Sequence, residues 1–446
     1  MQGLVLEGGG AKGAYHIGVY EALQELGFEF DGVAGTSIGA LNGAMIAQGD
    51  FERARDLWGQ LRPDELFQLD GDKLEEIMSM ELDKDNLGYM LGKIRDIIKN
   101  RGIEVEGIKK TIEENIDEDK LRRSSMDFAM VTFSLSDMKP LELFLEDIPE
   151  GKVADYLLAS SYLPAFKMEK MDDRYFLDGG FYDNLPINLL LGRDYERIIA
   201  VRTFSRGRIR PVSESGVEIE YIQPCEDLGR VLEFTPERID YNIKLGYYDT
   251  HRHFRGLLGR NYYIEPAAAG AGAEQPGPGE IDEHDELYEP EDLCEKRDLD
   301  EKFFLYCFLE IPDENIEEAA ELLGDFDKPP LRILLEILIP RLQELLDLED
   351  EAGYDEIFIS ALELLAHELE LERFKFYDFD GFWQEIAAGF EPELKEKGGG
   401  GGRRLPSFLK RSEFLSFTFR EDLASQLTAI LFAPLLKKFE DPQKKL

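Results

Sequence analysis

Positive charge is scarce in this 446-residue chain: 51 lysines and arginines stand against 93 aspartates and glutamates, a formal net charge of −42. Nucleic-acid binding needs clustered cations against phosphates, so the field has the wrong sign and no nucleic-acid partner is expected. Docking on anionic lipid by net charge alone is disfavoured too, although contact through apolar or locally basic surface is not. Cysteine is equally sparse. Cys225, Cys294 and Cys307 form no CxxC pair and no regular framework, so neither a disulfide scaffold nor a zinc cluster is indicated. The acids of 280–301 lack the spacing and central glycine of a calcium loop, and no metal site is expected. No apolar run approaches the ~18 residues of a membrane span. The richest, Leu331 to Ile339, is interrupted by Arg332 and Glu336. Met1 to Glu7 lacks the basic start and apolar stretch of a secretory leader. The expectation is a cytoplasmic protein, with peripheral membrane contact left open. Nothing in the sequence sets an oligomeric state.

Apolar residues are not lacking. They make up 43% of the chain, with 11% aromatic, enough for a large core and unlike a disordered acidic chain. Over the first 210 residues, short β-rich runs alternate with helical stretches. Leu4–Leu6, Phe28–Ala34, Phe128–Leu135, Tyr175–Leu177 and Arg197–Thr203 read as strands, with helices at 12–26, 38–47 and 153–161. That alternation predicts an α/β domain with a mostly parallel central sheet covered on both faces, a three-layer α/β/α arrangement. A helical, charged insert is expected at about 51–125. The Ala/Gly/Pro-rich stretch 266–279 and the acidic stretch to 301 read as a flexible linker, 261–301. Helical periodicity dominates 302–446, broken by the five glycines Gly398 to Gly402. Apolar stripes there, such as Leu334, Leu338 and Leu342, fit the packing of a helical C-terminal region better than an exposed apolar cover over a site.

Three motifs carry possible chemistry. Gly8-Gly9-Gly10-Ala11-Lys12-Gly13 follows a strand and opens a helix. Its glycines uncover backbone N–H groups beside a helix N-terminus, which suits an anion, permanent or transient. The stretch also fits G-x-G-x-x-G, with Asp31 where a ribose-binding acid would stand, so dinucleotide binding is an alternative. Gly35-Thr36-Ser37-Ile38-Gly39 is a G-x-S-x-G sequence between a strand and a helix, the context of a nucleophile elbow. A serine there can also be a simple helix cap. Asp178-Gly179-Gly180, followed by Asp183-Asn184-Leu185-Pro186, is by itself a common turn.

In this order and spacing, and with Ala159-Ser160, Pro164 and Phe166 between them, the three motifs resemble the patatin-like phospholipases over about residues 1–205. The resemblance implies a catalytic domain over 1–260 that hydrolyses acyl esters of lipids without metal or cofactor. It implies Ser37 as nucleophile, Asp178 as its base without an intervening histidine, and an oxyanion hole from the N–H groups of Gly8, Gly9 and Gly10. Lys12, Gly35, Ile38, Gly39, Gly179 and Gly180 would support them. The partner it implies is a lipid or fatty-acyl ester. A Ser37–Asp178–His251 or His253 triad is a competing arrangement, and a catalytically silent scaffold retaining the fold is another alternative.

Overall fold

A computed structural model describes residues 1–67, 104–164, 166–167, 169–171, 173–213, 216–266, 299, 301–324, 326–395 and 418–438. Parts of the expected insert and C-terminal region, most of the linker with the acidic stretch, and the five-glycine break lie outside them. The described chain forms two compact units, Met1–Phe254 and Arg255–Leu446.

The first unit is built on a seven-stranded sheet in the order β4-β3-β2-β1-β6-β7, with β5 also pairing β3. The strands are β1 Gln2–Leu6, β2 Gly32–Thr36, β3 Asp127–Ser134, β4 Lys139–Phe144, β5 Phe176–Asp178, β6 Arg197–Val201 and β7 Glu218–Ile222. Pairs β1–β2, β1–β6, β2–β3 and β6–β7 are parallel, while β4 and β5 run antiparallel to β3. Helices α1 Ala14–Glu25, α2 Ile38–Ala47, α3 Phe51–Gln60, α4 Pro63–Phe67, α5 Glu106–Asn115, α6 Glu118–Arg122, α7 Val153–Ser160, α8 Ile187–Leu191 and α9 Pro236–Arg255 complete it. Successive strand residues point to opposite faces. Val5, Ala34, Ala129, Ile198 and Ala200 pack with Leu189 and Leu190 of α8. Their neighbours Leu4, Val33 and Phe128 are buried as well, and Gly43 of α2 sits against Val33 and Phe128. Both faces are therefore covered, and the domain is the expected three-layer α/β/α fold.

Register explains how distant motifs meet. β4 and β2 both pair Ala129 of β3, so they occupy its two edges. β4 and β5 both pair Thr132, so β5 shares the edge of β2. Thr36 pairs Val131 and Asp178 pairs Thr132. Thus β2 and β5 approach along one edge of β3 from opposite directions, and their carboxyl ends meet.

The second unit is mainly helical: α10 Glu301–Leu309, α11 Asp313–Glu321, α12 Pro330–Ile333, a π-helical turn Leu334–Leu338, α13 Ile339–Leu345, α14 Tyr354–Glu368, α15 Phe379–Lys395 and α16 Thr418–Lys438. The leucine and aromatic stripes close on one core in which Leu334, Leu338, Leu342, Phe358, Phe382 and Phe432 are fully buried. Strand β8, Tyr263–Glu265, pairs β9, Phe376–Asp378, and Tyr262, Tyr263 and Ile264 are buried in this unit. The carboxylate of Glu363 fixes the preceding bend, accepting from the N–H groups of Arg260, Asn261 and Tyr262 at 2.8, 2.7 and 2.7 Å. These residues are ordered parts of a fold, which puts the structural boundary ahead of 260. Among the described residues no helix is long and apolar enough to cross a membrane.

Candidate active site

Ser37 stands at the turn from β2 into α2, buried, with φ 57° and ψ −125°. A non-glycine residue rarely adopts that backbone, which marks strain maintained by its surroundings. The glycines on either side make the turn possible. A Cβ on Gly35 would lie 2.3 Å from the Gly39 carbonyl carbon, and one on Gly39 would lie 2.2 Å from the Leu6 carbonyl oxygen. The Ser37 side chain makes no cap hydrogen bond to α2. It stands beside the Asp178 carboxylate, which accepts the Gly180 N–H at 2.7 Å. Burial pushes the Asp178 carboxyl up to about 6, against the downward pull of the Ser37 side chain and the Gly180 N–H. Gly179 is fixed by the same meeting of strands, since a Cβ there would lie 2.2 Å from the Val131 carbonyl.

The glycine loop follows β1 beside the elbow. Of its three expected donors, Gly8 is spent: its N–H donates to the Asn184 carbonyl at 3.0 Å. No protein acceptor takes the N–H of Gly9 or Gly10 among the described residues. Gly10 has φ 56°, and a Cβ there would meet the Val231 carbonyl at 2.1 Å. Lys12 is mostly buried, its Nζ 3.9 Å from Asp227. Ile38 and Gly39 open α2 directly after Ser37.

A cavity of about 120 Å³ opens on Ser37 and Gly10. Its walls include Leu41, Met45, Trp58, Phe67, Ile112 and Phe234. The described flanks of the expected insert, α3 to α5, thus supply much of its apolar lining.

The competing histidines are engaged elsewhere. His251 lies 3.4 Å from Glu25, and His253 lies 2.8 Å from Glu220. Asp31 precedes β2, at the opposite end of the strand from the glycine-loop side, and accepts the Gln2 N–H at 2.7 Å. A ribose-binding acid would stand at the carboxyl ends of the strands.

Residues 4–191 match the family model of the patatin-like phospholipases. This segment is a patatin-like phospholipase domain. The chain is 29% identical over 205 residues to Lysophospholipase NTE1 of Mycosarcoma maydis, covering 45% of this chain and 9% of that protein. It is 31% identical over 205 residues to Lysophospholipase nte1 of Aspergillus terreus, covering 45% and 12%. A 43-residue stretch is 63% identical to Neuropathy target esterase sws of Drosophila persimilis, covering 10% and 3%. The matches thus span between 3% and 12% of the length of these curated relatives. Among solved structures, VipD from Legionella pneumophila aligns at 13% identity and a TM-score of 0.37, covering 100% of this chain and 93% of that one.

Several residues that support the patatin-like site were not assigned roles by the motifs. Ser160, at the end of α7, accepts the Ser37 N–H at 2.9 Å and donates to the Val131 carbonyl at 2.6 Å. It fixes the elbow's strained amide. Glu7, fully buried, accepts from Arg202 Nε at 2.9 Å and from the Thr203 N–H at 2.7 Å, anchoring the glycine loop at its base. Asn42 on α2 donates to the Gly13 carbonyl at 2.9 Å, accepts from Trp58 at 3.0 Å and lies 3.3 Å from His16 Nδ1. His16 is fully buried and its burial lowers its pKa to about 3, so it is a neutral packing partner rather than a base. Ser160 stands among the residues that carry the family resemblance, but no short sequence signal gives these residues their roles, because each acts on a partner distant along the chain.

Proposed function

We propose that the patatin-like domain is a lipid acyl hydrolase of the phospholipase or lysophospholipase type, acting through a Ser37–Asp178 dyad. Catalysis belongs in this reading to the first unit. The observation that carries it is the meeting of β2 and β5, which sets the strained Ser37, on the wall of an apolar cavity, beside the buried Asp178 carboxylate. The names of the fungal relatives support a lysophospholipid as one substrate.

An acyl chain occupies the apolar cavity and presents its ester carbonyl to Ser37. Oγ attacks the carbonyl carbon while its proton passes to Asp178. A hydroxyl needs such a base to become nucleophilic, and a carboxylate raised to about 6 is a stronger base than an ordinary one. Negative charge develops on the carbonyl oxygen, where the Gly9 and Gly10 N–H groups donate. Removing one such donor typically costs ~2.7–4 kcal/mol of transition-state stabilisation. The carbon–oxygen bond to the alcohol breaks, and Asp178 returns the proton to that leaving group. Asp178 then takes a proton from water, whose oxygen attacks the acyl-enzyme; the bond from the carbonyl carbon to Ser37 Oγ breaks, Asp178 returns the proton to Oγ, and the fatty acid leaves.

The test is hydrolysis of a lysophospholipid and of a soluble p-nitrophenyl ester by the parent chain, Ser37→Ala and Asp178→Asn. Both substitutions should reduce kcat by roughly a thousandfold or more. Full activity in either variant overturns the dyad.

A further inference from the structure

One segment reverses the sign of this acidic protein. From Val201 to Ser213 the chain holds Arg202, Arg206, Arg208 and Arg210 and no acid. It leaves the carboxyl end of β6 and crosses the turns that carry the site. Thr203 Oγ donates to the Gly8 carbonyl at 2.7 Å. The Arg208 N–H donates to the Gly180 carbonyl at 2.8 Å, and its carbonyl accepts the Asn184 N–H at 2.6 Å. Two of the arginines hold the segment down: Arg202 pairs with Glu7 at 2.9 Å and Arg210 with Glu142 at 2.7 Å. Arg206 and Arg208 are exposed.

Apolar side chains also face water here. Phe204 is 52% exposed, and Ile209 and Val212 are each 37% exposed. Phe204 has φ 47°, a backbone that bulky residues rarely adopt. Its N–H is held by the Glu7 carboxylate at 3.2 Å, and the Arg202 guanidinium lies 4.8 Å from its ring. The fold thus holds an aromatic ring out in solvent, at a backbone cost that core packing does not explain.

We propose that Phe204, Arg206, Arg208 and Ile209 form a docking surface for an anionic phospholipid bilayer. The choice of partner rests on the lipid-hydrolase reading above. Exposed cations interleaved with apolar residues suit the interface, where guanidinium groups meet headgroup phosphates and apolar side chains enter the acyl boundary. A soluble polyanion would match the arginines but leave Phe204, Ile209 and Val212 unused. The segment is hydrogen bonded to residues flanking the glycine loop and Asp178, so docking there would bring the site to the lipid. The repulsion of the distant acids is screened beyond a Debye length of ~8 Å at physiological ionic strength, while contacts at the surface itself are screened less.

The experiment is co-sedimentation of the full chain with phosphatidylcholine vesicles, with and without phosphatidylglycerol, beside binding to immobilised heparin. Phosphatidylglycerol should raise vesicle binding, and the double variant Arg206→Gln/Arg208→Gln should abolish that gain, a loss of roughly tenfold or more. Phe204→Ala should weaken binding to both vesicle types. The arginine variant should hydrolyse a soluble p-nitrophenyl ester at the parent rate, which also shows that it is folded. Parent-like vesicle binding by the arginine variant overturns the proposal, as does a parent chain that binds heparin but no vesicles. Vesicle binding can be read without turnover, so an inactive but vesicle-binding protein would overturn the hydrolase reading and leave the docking surface standing.

Discussion

At the residue scale, the site concentrates conformational and electrostatic cost. Ser37 occupies a rare backbone region, and its amide is fixed by Ser160. Replacing Ser160 with alanine leaves that buried N–H without an acceptor, a loss of about 1–3 kcal/mol. Ser160→Ala should lower the thermal midpoint and reduce kcat more than it raises KM, because it disturbs the elbow rather than the acyl cavity. An unchanged midpoint and kcat would remove Ser160 from the account. Asp178 is costly for a different reason. Its folded pKa is raised from 3.8 to about 6. A raised carboxyl is favoured in its protonated form, so its contribution to stability is present below pH ~4 and is lost as pH rises through 6. Asp178→Asn should therefore stabilise the fold at pH 8, by an amount on the order of 3 kcal/mol, with the gain shrinking toward pH 4. The same titration governs activity with the opposite sense. kcat/KM for a soluble ester should rise with pH through about 6 and then level off, since only the ionised carboxylate can take the Ser37 proton. A rate that stays flat from pH 5 to 8 would contradict the role of Asp178 as base.

At the element scale, the decisive event is that β2 and β5 end against each other along one edge of β3. This is why Gly179 must be glycine: it lies where the Val131 carbonyl and Thr36 side chain converge. Gly179→Ala should unfold or strongly destabilise the first unit, whereas alanine at Gly49, with open space for a Cβ but φ 77°, should cost only a modest amount. Thermal unfolding of the two variants checks the contrast. The motif residues were legible because close backbone approach leaves glycine as the workable choice at Gly35, Gly39 and Gly179. The contacts of Ser160 and Asn184, which the motifs also contain, were not: Ser160 is 123 residues from Ser37, and Asn184 is 176 from Gly8. The acceptor of the Gly8 N–H, the Asn184 carbonyl, likewise comes from beyond Asp178. The second strand also starts later than its composition predicts, at Gly32 and not at Phe28. Phe28 and Phe30 suggest β structure, but Phe28 packs on Phe254 and Phe30 on Tyr20, and pairing begins at Gly32. The strand Tyr263–Glu265 was hidden similarly, since its partner lies more than a hundred residues on.

At the scale of the whole molecule, a net charge of −42 and a pI near 4.5 set the solution behaviour apart from the chemistry. Approach to the pI removes the repulsion that keeps molecules separate. Light scattering should show aggregation setting in near pH 4.5, well below the activity loss near pH 6; coincident transitions would mean that unfolding, not Asp178, sets the acid limb. The acidic surface makes the arginine segment beside the site all the more distinct, as a local exception to the field of the chain.

The central claim is that Ser37 is an activated nucleophile. Intact-protein and peptide mass measurement after exposure to a fluorophosphonate tests it most directly. The account predicts one adduct, on Ser37, absent in Ser37→Ala and strongly slowed in Asp178→Asn. A folded protein that acquires no adduct, or carries it on another serine, would contradict it.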